Sequence, residues 1–99
     1  MKRVKLTVAY DGTHYHGFQV QPDKRTIEGE LNRHLRALTG EMIQVIGASR
    51  TDAGVHALCN VAVFDTESRI PPEKFSNALN QRLPEDIVIQ KSEEVPGDF

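Results

Sequence analysis

Between Val4 and Leu38 the apolar residues change their spacing, and that change restricts the fold more than any other feature of the chain. Val4, Leu6, Val8 and Tyr10 alternate with Lys5, Thr7 and Ala9, the period of a strand with one buried face. Asp11-Gly12 ends the alternation, and a polar loop runs to about Arg25. From Thr26, a capping residue, Ile27, Leu31, Leu35 and Leu38 recur on one face of a helix that Gly40 terminates. The switch is then repeated. "MIQVIGAS" reads as a second strand and "NVAVFDTE" as a third, apolar enough for cover on both faces. Pro71-Pro72 opens a second helix with Phe75, Ala78, Leu79 and Leu83 as its buried stripe, ended by Pro84. "DIVIQK" is a fourth strand. The order β-α-β-β-α-β predicts an α+β ferredoxin-like fold, an antiparallel sheet with two helices on one face.

That fold hosts many activities, so function must be sought in the loops. RNA-recognition modules share the topology, yet the third strand lacks their aromatic-rich signature, which argues against base stacking on the sheet. With 99 residues the chain is read as one domain. No apolar run approaches the roughly 18 residues of a membrane helix. The amino terminus alternates instead of forming the apolar core of a signal peptide. Cys59 is the only cysteine, so no internal disulfide forms, which fits a reducing cytoplasm. Net charge is −2, but residues 1–40 carry seven basic and four acidic side chains and the remainder five and ten. A local basic face under an acidic average is compatible with a polyanionic partner, and equally with two solvated surfaces.

Two segments hold more polar chemistry than a turn requires. In "ASRTDAGVHA", residues 48–57, Asp52 follows the second strand and Arg50 precedes it by two positions. A carboxylate there can act as nucleophile, as general base, or as a turn residue bonding its own backbone. A neighbouring guanidinium favours its ionised form, and Ala53 and Gly54 clear space for a planar ligand. His56 reads as an orienting residue. It lacks a Cys/His cluster that would complete a metal site, and His14 and His16 do not supply one. His34 reads as a flank residue of the first helix and Cys59 as a small packing residue. In "YDGTHYHGFQVQP", residues 10–22, Asp11, Thr13, Tyr15, Gln19 and Gln21 put hydrogen-bonding groups beside the aromatic Tyr15 and Phe18. Such a loop can grip a nucleotide, with amides reading edges and an aromatic offering a stacking face, or it is an ordinary polar excursion.

Taken together, "YDGTHYHGFQVQP", "RTIEGELNRHL", "ASRTDAGVHA", "FDTE" and "NALNQRLPEDI" resemble, in order and spacing, the TruA family of tRNA pseudouridine synthases. The resemblance covers essentially the whole chain. It implies isomerisation of uridine to pseudouridine in the tRNA anticodon arm without metal or organic cofactor. It also implies Asp52 as the catalytic aspartate and Arg50 as its partner, with Thr51 and His56 in the same element. The loop of Asp11, Thr13, Tyr15, Gln19 and Gln21 would then line the same cleft. Lys24, Arg25, Arg33 and Arg36 are candidates for phosphate attraction. Members of the family are more than twice this length, homodimeric, and built from two similar halves flanking the cleft. The match is to the first half, so the resemblance implies an amino-terminal domain unable to catalyse alone. Cys59-Asn60 stand where the family commonly has Gly-Gln. Apart from the resemblance, a non-catalytic RNA-binding module, another carboxylate enzyme such as a small hydrolase, and a structural domain with a capped turn remain open.

Overall fold

The computed structural model describes residues 1–18, 20–47 and 57–98. Strand β1 (Lys2–Tyr10) is the backbone of the fold, paired antiparallel on both sides. Helix α1 (Ile27–Thr39) follows, then β2 (Ile46–Gly47), β3 (Ala57–Thr66), helix α2 (Phe75–Asn80) and β4 (Ile87–Val95). The sheet order is β2-β3-β1-β4, with every described pairing antiparallel. This is the ferredoxin-like arrangement that the alternating periodicities predict.

The inward residues of β1 (Val4, Leu6, Val8 and Tyr10) meet Ile27, Leu31 and Leu35 of α1 and Phe75 and Leu79 of α2 in one core. Phe64 and Phe75 pack edge to face, centroids 5.1 Å apart. Thr26 caps α1 by accepting a hydrogen bond from the Gly29 N–H, and Gly40 ends the helix at φ 75°, a left-handed conformation that costs glycine nothing. Among the described residues no helix is long and apolar enough to cross a membrane.

Three expectations are corrected. The second strand does not occupy all of "MIQVIGAS": Ile46–Gly47 alone pair with β3, while positions 48 and 49 lie outside the described residues. The preceding residues bond to α1 instead of to the sheet. The Val45 N–H donates to Asn32 Oδ1 (2.8 Å), and Arg36 Nε donates to the Ile43 carbonyl (3.0 Å). Ile43 and Val45 are thereby buried against the helix. The second helix is shorter than its apolar stripe. A 3-10 turn (Pro72–Lys74) precedes α2, and beyond Asn80 the Leu79 carbonyl accepts from both Arg82 and Leu83, so the last turn tightens before Pro84. Cys59 is exposed and is no packing residue. The register of β3 against β1 shifts between Val8↔Asn60 and Tyr10↔Ala57, and Asn60 on one side of Cys59 is the residue that points inward. The cover of β3 on its outer face is partial: Val63 is buried, but Asp65 is exposed and paired with Arg3 at 2.8 Å.

Candidate functional site

Arg50, Thr51, Asp52 and His56 lie outside the described residues, as does Gln19. What the structure defines is the frame around them. Of the two flanks of the 48–56 segment, Ala57 starts β3 beside Tyr10 at one end of the sheet, while Gly47, the last residue of β2, pairs with Ala62 midway along β3, its strand running towards that same end. Tyr10, the last residue of β1, pairs with Ala57, so the loop that begins at Asp11 leaves the sheet beside the start of β3. Phe18 closes the arrangement. A Cβ placed on Gly47 would sit 2.5 Å from Phe18 Cε1, so the ring lies directly against the glycine backbone. The polar loop of residues 10–22 therefore adjoins both described flanks of the 48–56 segment, Gly47 and Ala57, although twenty-five residues separate the two segments in the chain.

The loop is held by a dense set of bonds. Asp11 accepts from the Thr13 N–H (3.0 Å) and hydroxyl (2.5 Å), which caps a 3-10 turn over Gly12–His14. Its own N–H donates to the Asp86 carbonyl at 2.9 Å. Gln21 Nε2 donates to the His16 carbonyl at 2.6 Å, and the His16 N–H donates to the Arg25 carbonyl at 2.8 Å. The Ile27 and Glu28 N–H groups donate to the Gly17 and Phe18 carbonyls, and the Glu28 carboxylate accepts from the Val20 N–H. The loop is thus docked on the amino-terminal turn of α1. Asp11, Thr13 and Gln21 remain on its exposed side.

Tyr15 occupies a different environment from its loop neighbours. Only 3% of it is exposed, its hydroxyl donates to Asp86 Oδ1 at 2.7 Å, and the Arg25 guanidinium lies 4.7 Å above its ring. Burial, then the hydrogen bond to Asp86, raises its pKa well above the usual phenol range. The ring anchors the loop and presents no open stacking face. Arg25 Nε donates to Glu30 Oε1 (3.0 Å), and Glu30 Oε2 accepts from Arg33 (2.9 Å) with His34 Nε2 3.8 Å away. Burial alone would raise the Glu30 pKa, but the Arg33 and Arg25 hydrogen bonds outweigh it and hold the carboxylate below its ordinary value.

Of the cations proposed for phosphate attraction, Arg25 and Arg33 are therefore engaged with Glu30, and Arg36 with the Ile43 carbonyl. Asn60 is buried; its amide nitrogen donates to the Tyr10 hydroxyl at 3.2 Å and its oxygen accepts from the Val61 N–H at 2.9 Å. Sequence reasoning missed Asp86, whose only local signal is its place before a strand. Among the described residues no group of three His, Cys, Asp or Glu side chains is placed to hold a metal.

A family model described as tRNA pseudouridine synthase matches residues 6–99. The chain is 54% identical over 99 residues to tRNA pseudouridine synthase A of Acetivibrio thermocellus, and 52% identical over 99 residues to that of Ruminiclostridium cellulolyticum. It is also 54% identical over 99 residues to that of Brevibacillus brevis. Each alignment takes in 100% of this chain, which spans only 40–41% of the length of these curated relatives.

Proposed function

Because the chain belongs to the tRNA pseudouridine synthase family, we propose that it bears the catalytic aspartate of an enzyme converting uridine to pseudouridine in the anticodon arm of tRNA. Asp52 is the nucleophile in this reading. The reaction breaks the N1–C1′ bond, turns the base and rejoins it through C5, and an ionised carboxylate suits attack at base or sugar. Arg50 keeps that carboxylate charged, with Thr51 and His56 shaping the same segment. A stacked uridine is out of reach, so the base must be flipped out, at a cost of a few kcal/mol.

The match across residues 6–99 carries the proposal. Supporting it, the exposed Asp11, Thr13 and Gln21 lie in a loop that adjoins both flanks of the 48–56 segment, where polar groups would meet a flipped base. By the same family reading the full-length enzyme is a cytoplasmic homodimer that needs no metal or organic cofactor, and its active cleft is shared with a second, similar half.

The test uses full-length protein containing this chain, presented with unmodified tRNA. Asp52→Asn is expected to abolish pseudouridine formation while tRNA binding persists. Turnover by that variant at the wild-type rate would remove Asp52 from the mechanism. Salt-dependent tRNA binding with no modification by the wild type would leave a non-catalytic RNA-binding module instead.

A further inference from the structure

The loop from Asp11 to Arg25 is joined to a part of the chain that the proposed chemistry does not use. Asp86, at the entrance to β4, takes two hydrogen bonds from it: the Asp11 N–H reaches its carbonyl at 2.9 Å and the Tyr15 hydroxyl its carboxylate at 2.7 Å. The second bond spans 71 positions of sequence. Above the tyrosine ring Arg25 is held at 4.7 Å, and Glu30 fixes that guanidinium from α1. The loop is thus gripped between β4 and α1 at the end of the sheet where Tyr10 pairs with Ala57, the first residue of β3.

We propose that Tyr15 and Asp86 form a positioning latch, with Arg25 as its cover, that sets the loop at the distance from the reacting base which catalysis requires. The inference rests on the pseudouridine synthase reading. Neither residue touches the substrate; both act through Asp11, Thr13 and Gln21. A displacement of about 1 Å at a positioning element can cost up to about a hundredfold in rate, so a loop held at two points is sensitive to loss of one. Burial of the phenol and its hydrogen bond keep the hydroxyl protonated, so the latch stays closed across the physiological range.

The test compares full-length wild-type protein with Tyr15→Phe, Asp86→Ala, Asp86→Asn and the Tyr15→Phe/Asp86→Ala double variant. Single-turnover pseudouridine formation and tRNA Kd are read well below the melting temperature of every variant. Tyr15→Phe, which keeps the buried ring, and Asp86→Ala are each expected to slow the single-turnover step about tenfold, with Kd within twofold of wild type. The double variant should be no slower than the slower single one, since the pair acts as a unit. Asp86→Asn, whose amide oxygen still accepts the phenol hydrogen bond, should recover most of the rate. Tyr15→Phe reacting at the wild-type rate, however low its melting temperature, would overturn the latch; so would Asp86→Asn as slow as Asp86→Ala. An Asp52→Asn control separates the two readings. If wild type is active, Asp52→Asn dead and Tyr15→Phe unimpaired, only the latch fails; if Asp52→Asn turns over normally, the functional reading falls and the latch with it.

Discussion

Replacing Gly47 by alanine inserts a methyl group where the structure leaves none. The new Cβ would lie 2.5 Å from Phe18 Cε1 and 3.0 Å from Cδ1. Apolar carbons rest at about 3.5–4.0 Å, so the shortfall is about 1 Å. The φ of Gly47 is outside the left-handed region, which makes space, and not backbone strain, the whole of the effect. Phe18 cannot withdraw easily. It is fully buried, its ring stands 5.8 Å from that of Tyr10, and its carbonyl holds the Glu28 N–H at 2.9 Å. Overpacking of this kind costs about 1–3 kcal/mol. For a domain of this size about 2 kcal/mol lowers Tm by about 10 °C. Thermal unfolding followed by circular dichroism measures it directly. Gly97→Ala is the control: nothing lies within 4 Å of its Cβ, so its Tm should be unchanged. A Gly47→Ala protein melting within about 2 °C of wild type would show that Phe18 is free to move, and the frame drawn around the 48–56 segment would be wrong.

Asn32→Ala deprives the buried Val45 N–H of its acceptor and should cost about 1–3 kcal/mol, read as a lower urea midpoint at constant m, with Asn32→Asp losing less. Burial, then the positive charge of Arg33, holds the His34 pKa below the usual imidazole value. The folded protein therefore takes up the proton less readily than the unfolded chain. The stabilising contribution is complete above the unfolded value of about 6.5 and is lost as pH falls through the lower folded value. Tm should decline on acidification through that range, and His34→Gln should flatten the decline. An equal slope in both proteins would refute the assignment.

The elements were legible because their causes are local. Alternation in β1, the 27-31-35-38 stripe of α1, the Thr26 cap and the Gly40 stop each depend on neighbours within a few positions, and the structure reproduces all of them. Their order then left few topologies open. The two chemically rich loops could also be picked out, since both carry more polar groups than a turn needs.

Partners across the fold were not legible. Nothing near Tyr15 marks it as a core residue, because its hydroxyl is satisfied by Asp86 and its ring by Arg25, meetings made by the β1–β4 register and the return of the loop to α1. "MIQVIGAS" has strand composition throughout, yet Asn32 and Arg36 draw Ile43 and Val45 to the helix. Cys59 faces outward because Asn60, Ala62, Phe64 and Thr66 take the inner face of β3, a phase that the apolar run of this strand does not announce. Periodicity determines which face of an element is apolar, since that follows from backbone geometry alone. Where a polar side chain finds its partner depends on which elements become neighbours, and only the assembled sheet and helices decide that.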